Sequence, residues 1–366
     1  MDVIYSDECA LHYPPYEITR GQIKKYAESP ARFLAIKTSL QSQPNTFHMI
    51  PLKQHNMDDY TIQQGLHEVH DSDYIEFLKT IYQDWVAAGG PSDAAIAETF
   101  VHPNLVGPLD PDHYKKIASN NVRGKLGLYN FDLSVAYTQD TWTSVYAAAQ
   151  VAVAAADRLK SKQSHAVYAL CRPPGHHATC NAAGGYCFIN NTAVATRYLQ
   201  HGDSNTKVLI LDVDYHHGNG TQDIFYDDPS VMYISLHGYP GYPYFTGSSE
   251  EQGRGDGHGY NINLPLDPST TTDHSYLAQL HKVLEDPKVI EFDPDYVVCS
   301  LGLDTWHEDP VAGMQGIQDM NTYDKIGYTI KQYAGSRPVL FVQEGGCHVE
   351  SLGELVSRVL KGFLQE

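Results

Sequence analysis

Three polar residues at alternate positions follow an apolar stretch, and their types are those of metal ligands. Residues 208–211 are typical of a short, buried parallel strand, and Asp212, Asp214 and His216 come directly after them. Alternation at period two turns all three side chains to one side of an extended chain. Two carboxylates and an imidazole that converge in this way predict a divalent metal site. The alternative is a turn at the end of the strand, in which the acids are solvated and Asn219 is a capping residue. A buried polar cluster, however, needs a partner, and a cation supplies one directly.

A second group of residues that could do chemistry follows the apolar stretch at 166–170. The chain there runs through a rigid Pro-Pro-Gly turn into the tandem pair His176 and His177. Two adjacent histidines on a turn can have different roles. A carboxylate can orient one of them, while the other faces the reacting atom. Two surface histidines are the plainer interpretation, but the Gly-Gly-Tyr-Cys-Phe stretch at 184–188 makes an ordinary surface loop a poor explanation. Both histidines are therefore candidate catalytic residues.

Two more apolar stretches, at 296–301 and 339–343, also end in residues of interest. The first leads to Asp304, which suits a third metal ligand because it follows a glycine at the tip of a strand, although alone it is better explained as a helix cap. The second leads to a glycine pair and Cys347, and paired glycines let the backbone approach a pocket closely. By itself, Cys347 predicts only a buried structural thiol. Ligands of open parallel sheets bind at the carboxyl ends of the strands, so all four groups are predicted to meet there.

The elements that must position these residues alternate between strand-like and helix-like stretches. This alternation predicts an α/β fold with a parallel central sheet and helices on both faces. Neither an internal repeat nor a domain-scale linker is evident, so residues 1–366 are expected to form one domain. The predicted strands are residues 3–5, 165–170, 208–212, 231–236, 296–301 and 339–343. The predicted helices are residues 22–40 with an interruption at Pro30, about 74–88, 142–160, 191–199, about 274–284, 323–333 and 349–364.

Residues 91–141 interrupt this alternation with Pro, Asn, Asp and Gly and with scattered aromatic side chains. A loop this long inside a domain is typically functional or part of an interface. Its apolar residues have no obvious burial site within the chain, which predicts a homodimer with this segment in the contact. Those apolar residues are Phe100, Val101, Leu105, Val106, Leu126 and Leu128.

The composition limits the class of protein. Of the 366 residues, 42% are hydrophobic, which is ample for a large core. Lys and Arg number 25 against 44 Asp and Glu, and the formal charge of −19 argues against nucleic-acid or anionic-membrane binding and suits a cationic substrate. The six cysteines form no CxxC pair, and the first residues lack the pattern of a secretion signal, so reduced thiols and a cytoplasmic location are expected. No uninterrupted apolar run reaches membrane-spanning length.

Together these motifs resemble those of the zinc-dependent deacetylases of the arginase–deacetylase fold, the histone deacetylase superfamily. Within it, the resemblance is greatest to the bacterial acetylpolyamine amidohydrolases. It implies a single-domain, three-layer αβα architecture, and the segment at 91–141 resembles the insertion that narrows the site and supports dimerisation in that family. The matching stretches, which lie between residues 69 and 353, are VHDSDYIEFL, CRPPGHHA, GGYCFINNTAVA, DVDYHHGNGTQDIFY, SLHGYP, SLGLDTWHEDP and EGGCHVESLG.

The resemblance implies a role for each matching polar residue. Asp214, His216 and Asp304 match the metal ligands, and His176 and His177 match the tandem histidines. The implied metal is Zn(II), and because two carboxylates make a harder site than an all-histidine one, Fe(II) or Co(II) are alternatives. In this family's chemistry, His177 acts as general base and then protonates the leaving amine.

Other matches concern the residues around this centre. Asp212 matches the carboxylate that orients His176, and Asn219 stands where some members have an acid beside the second histidine. Gly185, Tyr186 and Tyr242 match the walls that contact the substrate. The resemblance also implies a structural K⁺ or Na⁺ site, largely formed by carbonyl oxygens, at Asp212, Asp214, His216, Ser235 and Leu236.

Two departures from the family pattern affect the functional prediction. The family usually has tyrosine after Glu-Gly-Gly, where this chain has Cys347, and the loop HGYPGYPYF is shorter than in similar relatives. The tyrosine donates a hydrogen bond to the oxyanion, whereas a thiol is shorter and a weak donor. The preferred hypothesis is a metal-dependent hydrolase of small N-acetylated amines such as acetylpolyamines. The alternatives are a peptidyl acetyl-lysine deacetylase and a metal-containing binding protein with little catalysis.

Overall fold

The computed structural model describes residues 1–19, 21–54, 59–203 and 205–365. The strands are β1 (Asp2–Tyr5), β2 (Glu17–Thr19), β3 (Gln22–Lys24), β4 (His48–Pro51), β5 (Ala166–Leu170), β6 (Val208–Asp212), β7 (Val231–Gly238), β8 (Asn261–Leu266), β9 (Tyr296–Leu301) and β10 (Val339–Gln343). The α-helices are α1 (Pro30–Gln41), α2 (Asp59–Val69), α3 (Ser72–Ala87), α4 (Pro103–Val106), α5 (Pro111–Ala118), α6 (Val122–Leu128), α7 (Thr141–Lys160), α8 (Asn191–Gln200), α9 (Asn219–Phe225), α10 (Asp273–Leu284), α11 (Pro287–Phe292), α12 (Asn321–Ala334) and α13 (Val349–Leu364).

Eight of these strands form one central sheet in the order β4-β1-β5-β10-β9-β6-β7-β8. Every pairing in it is parallel, so the carboxyl ends of all eight strands lie along one edge. The last strand in sequence, β10, lies in the middle of the sheet between β5 and β9. At the end of β6, Asp212 is level with Ser300 on β9 and with Ser235 on β7. Parallel strands covered on both faces are uniformly apolar, and all five residues of β6 are buried.

Helices cover the sheet and complete the core. The alanine-rich helix α7 packs against β1, β5 and β10, while α8 packs against α7 and β9. A second group of helices, α1, α12 and α13, packs together through contacts of α13 with both others. The predicted α/β fold with a parallel central sheet flanked by helices is thus confirmed. Within the described ranges, no helix is both long and apolar enough to cross a membrane.

Several predictions about individual elements were wrong. Gln22–Lys24 forms a strand that pairs antiparallel with β2, and the helix predicted to start there begins only at Pro30, because proline suits the first turn of a helix but not its interior. The strands β4 and β8 were not predicted. They lie at the two edges of the sheet, where polar residues replace the apolar run of a central strand.

The segment at 91–141 contains the short helices α4, α5 and α6 rather than only irregular chain. Proline at the first turn begins α4 and α5, and the side chain of Asn121 caps α6. The prediction that Phe100, Leu126 and Leu128 have no burial site in the chain is wrong, since Leu126 is 1% exposed and the other two pack against the core. In contrast, Leu105 is 68% exposed.

Candidate metal centre and active site

The residues predicted to do chemistry lie at the carboxyl ends of neighbouring strands. The sheet order places β5, β10, β9, β6 and β7 side by side, and the loops after these strands surround one cavity of about 430 Å³. These loops bring residues that are far apart in sequence to one place, as expected for the ligand-binding edge of an open parallel sheet. The predicted site residues that line the cavity are His176, His177, Gly185, Tyr186, Asp214, His216, Tyr242, Asp304 and Cys347.

Asp214, His216 and Asp304 form a cluster whose potential ligand atoms lie within 4.8 Å of one another. His216 Nδ1 is 3.3 Å from Asp214 Oδ1 and 2.9 Å from Asp304 Oδ2. Burial opposes charge on the imidazole, but the two carboxylates outweigh it and raise the pKa of His216 to about 10. Burial, with the charge of Asp214 added, raises the pKa of Asp304 to about 6. A positive charge between the two carboxylates would stabilise them in this buried place. Together with the imidazole they form a donor set that fits a divalent cation and leaves one coordination position open.

Backbone contacts hold these candidate ligands in place. The N–H of Gly345 donates to Asp214 Oδ2 at 2.8 Å, and that of Tyr215 donates to Asp304 Oδ1 at 2.8 Å. Glycine is required at position 302 for space, because a Cβ there would lie 1.8 Å from Asp214 Oδ2. The glycine before Asp304 in the sequence pattern is therefore explained by the close approach of Asp214.

The tandem histidines have different partners and different charge. His176 Nδ1 lies 3.1 Å from Asp212 Oδ2, and Asp212 also accepts a hydrogen bond of 3.0 Å from the hydroxyl of Tyr233. Burial opposes the cation, but Asp214 and Asp212 together raise the pKa of His176 to about 10. The two carboxylates therefore favour the charged form of His176. The predicted pairing of Asp212 with His176 is present in the structure.

His177 is neutral and free to accept a proton. Its Nδ1 lies 2.7 Å from the amide oxygen Oδ1 of Asn219, so Nδ1 carries the proton that it donates there and the lone pair is on Nε2. Burial, then the positive charges of His176 and His216, hold the pKa of His177 well below its usual range. Gly185, with a φ of +56°, lets the backbone pass close to this ring, since a Cβ there would lie 2.2 Å from the ring carbon Cδ2.

Aromatic side chains form the walls of the cavity. The ring of Tyr242 stands edge-on to His177, with 4.9 Å between centroids, and its hydroxyl donates to Asp132 Oδ2 at 2.5 Å. Tyr186, whose φ is +64°, packs edge-on against Tyr26 at 5.3 Å. Tyr242 therefore lies beside His177 and lines the cavity, and its role in substrate binding stays a prediction.

Cys347 lines the cavity and its backbone is fixed by Asp309. The N–H of Cys347 donates to Asp309 Oδ2 at 2.5 Å, and that of His348 donates to the same oxygen at 3.1 Å. Burial holds the pKa of the Cys347 thiol well above its usual value, against the opposing charge of Arg32. The side chain is therefore a neutral thiol and not a thiolate nucleophile.

Asp212 and Ser235 are partners across β6 and β7, and Leu236, which follows Ser235, is buried. The side chain of Ser235 is 2.9 Å from His237 Nδ1. Ser235 and Leu236 lie within β7, beside the carboxyl end of β6 that Asp214 and His216 follow. The monovalent-cation site itself stays a prediction.

Sequence reasoning missed several charged residues of the site. Glu17, Glu28, Arg32 and Asp132 line the cavity, although none belongs to the strand ends from which the prediction started. Glu28 lies just before α1 and Arg32 in its first turn, and an acid four residues before an arginine could have indicated an ion pair. Asp132 carried no such signal.

Glu344 was also missed, although it directly follows β10 and opens the motif EGGCHVESLG. Its Oε2 accepts the N–H groups of Gly175 at 2.7 Å and His176 at 3.1 Å, and the hydroxyl of Thr192 donates to Oε1 at 3.0 Å. Burial raises the pKa of Glu344 to about 7. Glu344 therefore fixes the backbone that carries the tandem histidines.

Comparisons with known proteins agree with this geometry. The profile of the Histone deacetylase domain matches residues 26–363. Acetylpolyamine amidohydrolase 1 of Pseudomonas aeruginosa is 37% identical over 367 residues, which cover 98% of this chain and 98% of that protein. The acetylpolyamine amidohydrolase of Mycoplana ramosa is 34% identical over 366 residues, 99% of each chain. The crystal structure of acetylpolyamine aminohydrolase from Burkholderia pseudomallei superposes with a TM-score of 0.86 at 33% identity, covering 99% of this chain and 98% of the other.

Proposed function

The chain belongs to the histone deacetylase family, and from this premise we propose that it is a metal-dependent amide hydrolase that releases acetate from small N-acetylated amines, acetylpolyamines in particular. Relatives that match nearly the whole chain are acetylpolyamine amidohydrolases. The observation that carries the proposal is the convergence of Asp214, His216 and Asp304 on one point beside a neutral His177. A binding protein has no need of an uncharged base held next to a metal centre.

The residues of this chain divide the reaction between them. Asp214, His216 and Asp304 would hold Zn(II), or else Fe(II) or Co(II), and the bound ion would polarise the amide carbonyl and lower the pKa of water. Nε2 of His177 takes the proton of the attacking water and delivers it to the leaving amine. His176, held in its charged form by Asp212, places a fixed positive charge beside the negative charge that develops on the carbonyl oxygen.

The walls of the cavity support a small cationic amine as substrate. Glu17 and Asp132 both line the cavity, and carboxylates attract an ammonium group. The rings of Tyr186 and Tyr242 can pack along a methylene chain. The hydrogen bond from Tyr242 to Asp132 joins two sides of the cavity, which favours a narrow substrate over a peptidyl acetyl-lysine.

Cys347 supports a second candidate function, a metal-containing binding protein with weak turnover. A neutral thiol is a poor hydrogen-bond donor to an oxyanion, and the loss of one such donor typically lowers turnover by about 10²–10³-fold. The ligand set can therefore be intact while catalysis is slow. We favour a genuine hydrolase because His177 is positioned as a base.

A turnover screen tests the proposed function. Acetylated putrescine, acetylated spermidine and an acetyl-lysine peptide are incubated with protein loaded with Zn(II), Fe(II) or Co(II), and the release of primary amine is measured. We expect turnover of the acetylated polyamines to exceed that of the peptide, to disappear with a chelator and to return with metal. Metal binding without turnover of any amide would support the binding protein instead.

A further inference from the structure

The cavity continues past the candidate metal ligands to a buried end formed by Glu28, Arg32 and Cys347. Glu28 is fully buried and Arg32 is 2% exposed, whereas Tyr244 at the other end of the cavity is 70% exposed. We propose that this buried end is a subsite for a hydroxyl group on the acyl side of the substrate. The preferred substrates are then amides of a short hydroxy acid such as glycolic acid. This inference rests on the proposed function and narrows its acyl specificity.

The orientation of the substrate follows from the shape of the cavity. Arg32 bonds the carbonyls of Glu344 and Gly346, which flank the Gly345 N–H that holds Asp214. On the other side of the cluster, His216 is followed by Tyr242 at 5.9 Å, and Tyr242 by the exposed Tyr244 at 6.0 Å. The candidate metal ligands therefore lie between Arg32 and Tyr244, so the two sides of the amide must point in opposite directions. A long amine fits only toward the exposed end beside Tyr244. The closed end beside Glu28 can hold only the short acyl group.

An unpaired hydrogen-bond acceptor at the closed end determines which kind of acyl group binds well there. Glu28 Oε1 lies 2.5 Å from Arg32 Nη1 and 2.8 Å from Arg172 Nε. Glu28 Oε2 is buried and has no hydrogen-bond partner within the described ranges of the chain. A buried acceptor without a donor is unfavourable, so a ligand that brings an O–H or N–H group there is bound better than one that brings a methyl group.

The charge at this end favours a neutral donor over an ion. The guanidinium groups of Arg32 and Arg172 at this end are matched by the carboxylates of Glu28 and Asp309. An added ammonium or carboxylate group would be desolvated there without a counter-ion of its own. A neutral hydroxyl group adds no charge and can donate to Oε2 of Glu28.

The subsite is rigid enough to discriminate between acyl groups. Arg32 donates through Nη2 to the carbonyl of Glu344 at 2.6 Å and through Nε to the carbonyl of Gly346. On the other side, Asp309 holds the N–H groups of Cys347 and His348. A site with a fixed, buried polar group rejects analogues that leave that group unpaired far more strongly than an apolar pocket rejects a missing methylene.

Three amides of the same amine test the inference on the unchanged, zinc-loaded protein. N-glycolylputrescine is compared with N-propionylputrescine, which has the same size, and with N-methoxyacetylputrescine, which has a similar electronic effect but no donor. We expect kcat/KM for the glycolyl amide to exceed both others by at least about tenfold. A glycolyl amide that is no better than the propionyl or the methoxyacetyl amide overturns the inference, even if acetyl amides are hydrolysed.

Failure of the proposed function gives a different result, namely that none of the acylated amines is hydrolysed. Calorimetric binding of the glycolyl and propionyl amides then tests the subsite separately, and equal affinity would refute it.

A variant links the preference to Glu28. Glu28→Leu should lower the ratio of glycolyl to propionyl kcat/KM to within about threefold of one, whereas the exposed control Glu285→Leu should leave the ratio unchanged. A folded Glu28→Leu protein that keeps the full preference would contradict the assignment. Since Glu28 is buried, a thermal melt confirms folding first, and the comparison on the unchanged protein remains decisive if the variant does not fold.

Discussion

Asp214 and Asp304 are the two carboxylates that the candidate metal centre can least afford to lose. Each is buried, and the ligand cluster found in the described part of the chain has no fourth carboxylate, so replacement by alanine would leave two ligands. Because the loss of even an outer contact to a ligand weakens metal binding by about 10–100-fold, we expect Asp214→Ala and Asp304→Ala to weaken it at least as much and to abolish hydrolysis. Metal content and turnover are measured beside the exposed control Asp256→Ala, and full metal occupancy in either variant would refute the ligand assignment.

Cys347 permits a test of the missing oxyanion donor. Cys347→Tyr places a phenolic hydroxyl at the cavity wall, and we expect turnover of an acetylated polyamine to rise by about 10²-fold or more. Cys347→Ser is the matched control, because its hydroxyl is as short as the thiol and should bring little gain. A Cys347→Tyr protein with unchanged or lower turnover would show that Cys347 has a role of its own.

Sequence alone could identify the site residues whose position along a strand fixes the direction of their side chains. Asp212 ends a buried strand, and Asp214 and His216 follow it at period two, so the position of all three at this strand end was predictable. Glu28 and Asp132 line the cavity, but they belong to segments whose sequence pattern does not predict where those segments lie relative to the sheet. Only the packing of the whole chain brings them there.

Among the elements, the junction between α2 and α8 depends on a buried histidine. Nε2 of His70 accepts the N–H of Asn190, the residue that caps α8, at 3.0 Å, and burial lowers the pKa of His70 to about 4. An unfolded histidine titrates near 6.5, so the unfolded chain binds the extra proton as pH falls below that value. The stabilisation from neutral His70 is therefore complete above about pH 6.5 and is lost as pH falls toward 4.

A comparison of the protein with His70→Gln isolates this contribution. The difference in unfolding free energy between the two should shrink by about 1.4 kcal/mol per pH unit between pH 6.5 and 4, because only the unchanged protein carries this titrating group. Urea unfolding at pH 7, 6 and 5 measures it. A difference that stays constant with pH would mean that His70 is not held neutral in the folded state.

The strands that were predicted correctly from the sequence are the buried ones. The strands β5, β6, β9 and β10 are central and continuously apolar, and all were predicted. The edge strand β8 alternates polar residues with apolar ones and lacks that signal. The short helices between 103 and 128 depend on caps and proline positions, which single residues do not specify strongly.

For the whole molecule, we propose that residues 1–366 form one domain and that two copies associate through the segment at 91–141. Strands from both ends of the chain join one sheet, which supports the first part. Leu105 and Ile117 in the segment are 68% and 58% exposed, which supports the second. Exposed leucine and isoleucine side chains are costly to leave in water.

Sedimentation measurements test the association. We expect a dimer at micromolar concentration, and we expect Leu105→Glu combined with Ile117→Glu to give a monomer because charged side chains resist burial in the contact. Ile290→Glu is the control, since Ile290 is 57% exposed elsewhere on the chain. A monomeric unchanged protein would contradict the proposal.

The position of β10 has a consequence for how the protein is made. β5 is synthesised long before β10, but the sheet is continuous only once β10 has paired with both β5 and β9. Without β10, the facing edges of β5 and β9 lack a partner strand, and unpaired strand edges can pair with other chains. Gly345, which holds Asp214, also follows β10. A chain that is cut short before β10 therefore has neither a continuous sheet nor a complete candidate site.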